Sequence, residues 1–232
     1  MLKQIQNWVR SVVVVLIVLL VIALGVYISL NAQAFWQRLN YWMGDKFDQS
    51  ADEVVAAGLT RVDDVLVADS QLFPDIFMAD AVKSLLSEYQ ARGDNFLYIP
   101  RLGIGAPIMY LDEVNEDVLR NELLQGVGHY PDTALPGQLG NSFIFGHSSY
   151  YWWSNSPYAS IFANLESVQV GDYIVASYNH QVFVYQVMET KVVSPTEMSV
   201  LDQGRDYRLS LMTCTPLGTN LNRFVVVAQL VS

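Results

Sequence analysis

At 232 residues with 52% apolar side chains, the chain is long enough for one domain with an appendage and apolar enough to build a core. A formal charge of −10 excludes nucleic acid as the main partner, because phosphate contacts need a basic footprint. A single cysteine excludes an intramolecular disulfide framework.

The first element is apolar. Residues 12–30 carry no charge, and at 1.5 Å per residue they reach roughly the 30 Å of a bilayer core. The stretch predicts a transmembrane helix. Lys3 and Arg10 before it predict a cytoplasmic N-terminus (1–11) and an extracellular remainder, although Arg38 and Lys46 reduce the asymmetry. A cleavable signal peptide is the competing reading, since Ala32-Gln33-Ala34 has the small-x-small pattern. The length of the run favours an uncleaved anchor, with Trp36, Tyr41 and Trp42 as an interfacial aromatic belt. Residues 31–94 form an acidic juxtamembrane segment, partly helical: Met78, Ala81, Val82, Leu85, Leu86 and Tyr89 recur at helical spacing, with Gly93 as a C-cap.

From Phe96 the pattern turns to short strands separated by turn residues, so that 95–232 reads as a mostly β domain, closed or nearly so. Strands are predicted at 96–101, 106–110, 141–145, 173–177, 182–189, 207–213 and 224–230, with a hairpin turn at Asn179-His180. Helical insertions fit 116–124 and 157–165.

The last two strands flank a turn containing Pro216, Gly218 and Asn220. If they pair, Cys214 and Arg223 meet at one rim. Two readings stand for Cys214: a buried structural thiol beside a surface arginine, or a nucleophile beside a cation. Of the three histidines, His180 falls in a solvated turn, while His147 ends a strand and opens the polar, aromatic loop 148–153. No histidine or cysteine falls at a zinc-motif spacing, and no Gly-x-Ser-x-Gly elbow occurs, so neither a metal site nor a serine hydrolase is expected.

Ser210-Leu211-Met212-Thr213-Cys214, followed by Thr215-Pro216, Gly218, Asn220 and Arg223, resembles the active-site segment of sortases, the membrane-bound cysteine transpeptidases of bacterial surfaces. Their signature is Thr-Leu-x-Thr-Cys with an arginine shortly after, and Ser210 stands where the family most often has Thr. A second, distant motif agrees: Gly140-Asn141 and Gly146-His147 match the context of the family's catalytic histidine, with Ser148 where many relatives have Arg. The segment 98–108 resembles the family's opening strands. His129, in a Gly-Val-Gly-His-Tyr-Pro segment that recurs in sortases, reads as structural.

The resemblance implies a closed barrel of about eight strands with short helices. Seven are readable, and the eighth is sought around 192–193. It implies Cys214 as nucleophile, His147 as acid and base, Arg223 as partner of the oxyanion and Thr213 as a substrate-binding residue, with no cofactor and no metal. The implied partners are exported proteins bearing a Leu-Pro-x-Thr-Gly-like sorting signal, an amine acceptor on a cell-wall precursor or a pilin lysine, and the membrane through the N-terminal helix. Trp152, Trp153 and Val193 are candidates for the groove that holds Leu-Pro. The loop from Cys214 to Arg223 resembles pilin-type enzymes. Their Asp-Pro-aromatic lid motif is absent, with only Pro74-Asp75-Ile76-Phe77 offering similar pieces in another order. The alternatives are a non-catalytic peptide-binding ectodomain and a cysteine protease that only hydrolyses.

With ordinary pKa values, about 3% of Cys214 would be thiolate and about a quarter of His147 imidazolium at pH 7, leaving the doubly competent form below roughly 1%. Either the site shifts these values, with Arg223 lowering that of the thiol, or a small active fraction suffices. The resemblance implies the second.

Overall fold

The computed structural model describes residues 2–32, 34–43, 94–151 and 154–231. The expected helix at 78–89, the 74–77 stretch, Trp152 and Trp153 lie outside the described residues. Helix α1 (Leu2–Leu30) contains the charge-free run, and its portion Gln6–Leu30 is long and apolar enough to cross a membrane. Its apolar side chains, such as Leu20 and Val21, are exposed all round. A helix apolar on every face suits a lipid surrounding. Helical backbone resumes at 34–43.

Eight strands follow: β1 (Phe96–Ile99), β2 (Ile104–Tyr110), β3 (Val127–His129), β4 (Gly140–Phe145), β5 (Tyr173–Tyr178), β6 (Gln181–Val193), β7 (Tyr207–Thr215) and β8 (Asn222–Leu230). They close in the order β1-β2-β3-β4-β7-β8-β6-β5, the last pairing back to the first. The β2–β3 and β4–β7 pairs are parallel. The others are antiparallel. The expected mostly β, closed eight-stranded barrel is the observed fold.

The eighth strand, however, is not at 192–193. Those residues end β6, which continues past a register shift between Val187 and Glu189. The strand that sequence reading lacked is β3, whose three residues include a glycine and so offer neither length nor β-branched alternation. The close approach of β3 to β2 needs the preceding Gly126, where a Cβ would stand 2.2 Å from the Pro107 carbonyl oxygen. Of the expected helices, α2 (Glu116–Asn121) forms, with Asn115 capping it by accepting from the Val118 amide at 2.9 Å. Residues 157–165 do not form an α-helix. They make successive tight turns such as Ile161 N to Tyr158 O and Ala163 N to Ser160 O, leading into a 3-10 turn, Leu165–Ser167. The turns bury Phe162 and Leu165 in the barrel core and Ala163 in a small separate cluster with Ala34 and Leu217.

Strand alternation sorts side chains into two cores. Leu209 and Leu211 of β7, Ile144 of β4 and Phe224, Val226 and Ala228 of β8 point into the barrel. The opposite faces of the same strands bury Phe143 and Phe145 in a second cluster with Leu123, against which the half-buried Met212, Leu119, Val200 and Leu201 pack. Covering on both sides explains why all of β4 is buried. Each such large side chain contributes roughly 1.5–3 kcal/mol by burial, so the second cluster fixes the floor on which the site is built.

Candidate active site

Three neighbouring strands deliver the three expected reactive residues to one rim. In the parallel β4–β7 pair Phe145 stands beside Met212, so His147 and Cys214, each two residues further on, leave the ladder side by side on the same face. In the antiparallel β7–β8 pair Cys214 stands directly opposite Arg223. Neighbouring strands lie roughly 4.8 Å apart, which sets His147, Cys214 and Arg223 in a row. All three line a single cleft of about 340 Å³, walled by Leu119, Leu123, Val193, Met198 and Leu201.

Local hydrogen bonds hold each group. Thr213 is buried, and its hydroxyl donates to the Gly146 carbonyl at 2.9 Å, while the Gly146 amide donates to the Met212 carbonyl at 3.1 Å. Thr213 thus ties β7 to the residue before His147, and it also lines the cleft. The His147 carbonyl accepts from the Phe162 amide at 3.0 Å. Arg223 Nη1 donates to the carbonyls of Asn220 and Asn222 at 3.0 and 3.1 Å, which orients the guanidinium from its own loop.

The electrostatics oppose ionisation. Burial pushes the Cys214 thiol pKa up, and the nearby Arg223 cation offsets this only in part. Burial pushes the His147 imidazole pKa down, with a smaller opposing contribution from the Leu119 carbonyl. His147 Nε2 is enclosed and has no hydrogen-bond partner among the described residues. The resting pair is therefore thiol and neutral imidazole, side by side along the cleft. The expectation that Arg223 lowers the thiol pKa has the right sign for that single interaction, but burial outweighs it.

The family model of the Sortase domain matches residues 97–231. The chain belongs to the sortase family. Sortase D of Bacillus subtilis (strain 168) is 26% identical over 147 residues, covering 62% of this chain and 65% of that protein. Sortase A of Listeria monocytogenes is 29% identical over 112 residues, covering 48% and 42%. The chain thus spans less than two thirds of the length of either curated relative. Among solved structures, sortase C1 from Streptococcus agalactiae aligns with a TM-score of 0.50 at 27% identity, covering 60% of this chain and 67% of that one. Sortase A from Corynebacterium diphtheriae aligns with a TM-score of 0.51 at 29% identity, covering 59% and 60%.

Within this sortase the other two histidines stand apart from the cleft. His129 ends β3, buried, with Nε2 2.9 Å from the Ala134 carbonyl and 3.3 Å from Thr133 Oγ1. It is a satisfied structural group, on a strand end rather than in the loop expected. His180 is exposed in the β5–β6 turn, where Asn179 and His180 have φ of 50° and 62°, the left-handed pair of a tight hairpin. Sequence reading did not single out Tyr150, whose ring packs on His147 with centroids 4.7 Å apart. The only signal for it was its place in the aromatic loop. Nor did it find the apolar wall supplied by α2 and residues 198–201, because those segments are distant in sequence and meet only across the second core.

Proposed function

We propose that this sortase is a membrane-anchored cysteine transpeptidase that cuts a Leu-Pro-x-Thr-Gly-like signal of exported proteins and passes the acyl group to an amine. The observation that carries the reading is the row of His147, Cys214 and Arg223 along one apolar cleft. The Cys214 thiolate attacks the Thr carbonyl carbon while Arg223 donates to the oxygen that gains charge. The Thr–Gly C–N bond breaks and the departing amine takes a proton from the His147 imidazolium. In the second half an acceptor amine gives its proton to His147, attacks the thioester carbon and expels the thiolate. The acceptor belongs to a cell-wall precursor or a pilin lysine. In favour of the latter, a pilus-related sortase C of Group B Streptococcus aligns with a TM-score of 0.51 at 27% identity.

In the same reading residues 1–11 are cytoplasmic, 12–30 cross the membrane, 31–94 are juxtamembrane and 95–232 are the extracellular catalytic domain. Thr213 serves substrate binding as well as the tie to Gly146. Val193, on the cleft wall, meets the Leu-Pro part of the signal.

The test uses the full chain in detergent with Leu-Pro-x-Thr-Gly peptides and a small amine. Mass spectrometry is expected to find a thioester of the peptide truncated after Thr, product carrying the amine, and neither with Cys214→Ala. Hydrolysed acid alone, at any amine concentration, would identify a protease. Peptide retained without cleavage, on a folded chain with reduced Cys214, would identify a binding module.

A further inference from the structure

Glu166 sits in the 3-10 turn Leu165–Ser167, outside the cleft, yet its carboxylate joins two segments that converge on the nucleophile. One oxygen, Oε1, accepts from the hydroxyl of Thr215, the residue after Cys214. The other, Oε2, accepts from Arg38 Nη2 at 2.8 Å. Arg38 comes from the helical stretch that follows α1, and its Nε also donates to the Ala163 carbonyl at 2.8 Å.

The same stretch reaches the other side of the nucleophile loop. Tyr27, near the end of α1, donates its hydroxyl to the Leu217 carbonyl at 2.5 Å. Leu217 is buried with Ala34 and Ala163, and Phe35 packs on the three. Gly218, at φ +77°, lies so close that a Cβ there would stand 2.8 Å from atoms of Asn31 and Tyr27. The backbone just past Cys214 is therefore held at Thr215 by Glu166 and at Leu217 by the end of α1.

We infer that Glu166 is a positioning residue for Cys214, and that Arg38 completes it, making the membrane-proximal helix part of the active-site scaffold. The inference rests on the reading of Cys214 as nucleophile. Because strand side chains alternate, Thr215 faces away from the cleft while Cys214 faces into it. Anchoring Thr215 thus fixes the strand twist that aims the sulfur without placing a carboxylate beside the thiol. The Arg38–Glu166 pair is about one third exposed on each side, 37% and 35%, so it adds little to stability and its effect is on geometry.

The test compares Glu166→Ala, Arg38→Ala, Arg38→Lys, Thr215→Val and Thr215→Ser with wild type, each as the full chain in lipid nanodiscs. Readouts are kcat and KM for amine transfer, Tm, and the rate of Cys214 alkylation by iodoacetamide. Misplacing a reacting atom by about 1 Å costs on the order of 100-fold, so Glu166→Ala and Thr215→Val are expected to lose roughly 10- to 100-fold in kcat with KM within about twofold. Arg38→Ala should lose part of this. Thr215→Ser and Arg38→Lys, which keep the hydroxyl and the cation, should restore most of it. The double variant Arg38→Ala/Glu166→Ala should be no worse than Glu166→Ala, because the two act as one unit.

Unchanged kcat in folded Glu166→Ala, losses that follow Tm, or additive losses in the double variant would overturn the inference. Where Glu166→Ala fails to fold, the Thr215→Val and Thr215→Ser pair decides it. If wild type transfers nothing, the proposed function fails separately. Alkylation still decides the positioning role: a rate altered severalfold in Glu166→Ala supports it, and an equal rate refutes it.

Discussion

Cys214 and Arg223 stand directly opposite each other in the antiparallel ladder of β7 and β8, so their side chains share the cleft face. The guanidinium is aimed by two carbonyls of its own loop, Asn220 and Asn222, which leaves its other N–H groups for the cleft. A lysine keeps the charge but has no planar fork to be held by two acceptors while bonding a third. Arg223→Lys is expected to lose about 10²-fold or more in kcat, the scale seen when an oxyanion donor is removed. Near wild-type kcat would show that charge alone suffices.

The histidines separate by readout. His147→Ala should abolish transfer and lower Tm less than His129→Ala does, since Nε2 bonds nothing among the described residues. His129→Ala should retain chemistry but lose about 1–3 kcal/mol, because the ring is buried and bonded to Ala134 and Thr133. Denaturant unfolding alongside activity checks both; the reverse pattern would exchange their roles.

His129 also gives a pH signature. Burial lowers its pKa, so the folded state holds the neutral ring and the stability it contributes is present above about pH 6.5. That contribution is lost as pH falls through the folded value. Stability measured from pH 7 to 4 should therefore fall less steeply in His129→Ala than in wild type.

The activity profile follows from the opposite shifts of Cys214 and His147. With the thiol raised and the imidazole lowered, the form holding both thiolate and imidazolium is a small, nearly constant fraction between the two pKa values and declines outside them. The profile of kcat/KM should be a broad bell, its acid limb below about 6.5 and its alkaline limb above about 8.5. Both limbs lying below pH 7 would contradict this arrangement.

Gly126→Ala tests the strand that sequence reading lacked. Its Cβ would overlap backbone of Pro107, which side-chain rotation cannot relieve. A loss of about 1–3 kcal/mol or more is expected, read as a lower urea midpoint at unchanged m-value.

The parts of this sortase legible in its sequence are those written in local pattern. Val225, Val226 and Val227 announce β8, and the loop through Pro216 and Gly218 fixes how β7 and β8 meet, so Cys214 and Arg223 could be paired in advance. What stayed hidden depends on segments far apart in the chain. The three residues of β3 become a strand only because β2 and β4 flank them. The wall of Leu119, Leu123 and Leu201 exists only once Phe143 and Phe145 turn outward to meet it. Residues 157–165 have helical spacing but are bent into turns by the surface they cover.

The ring of strands is complete, β1 pairing with β5 as well as with β2. An extended peptide commonly binds a sheet by lending it one more strand, through main-chain N–H and C=O groups left free at an edge. Among the described residues, every strand of the ring is paired on both sides, so no edge strand is left to accept it. Under the proposed function, recognition of a peptide would come instead from apolar side chains lining the cleft and from a few aimed polar groups, Arg223 foremost. In that reading selectivity would reside in residue identity along the cleft wall, and exchanging Val193 or Met198, which line the cleft outside the second core, should change which peptides are cut.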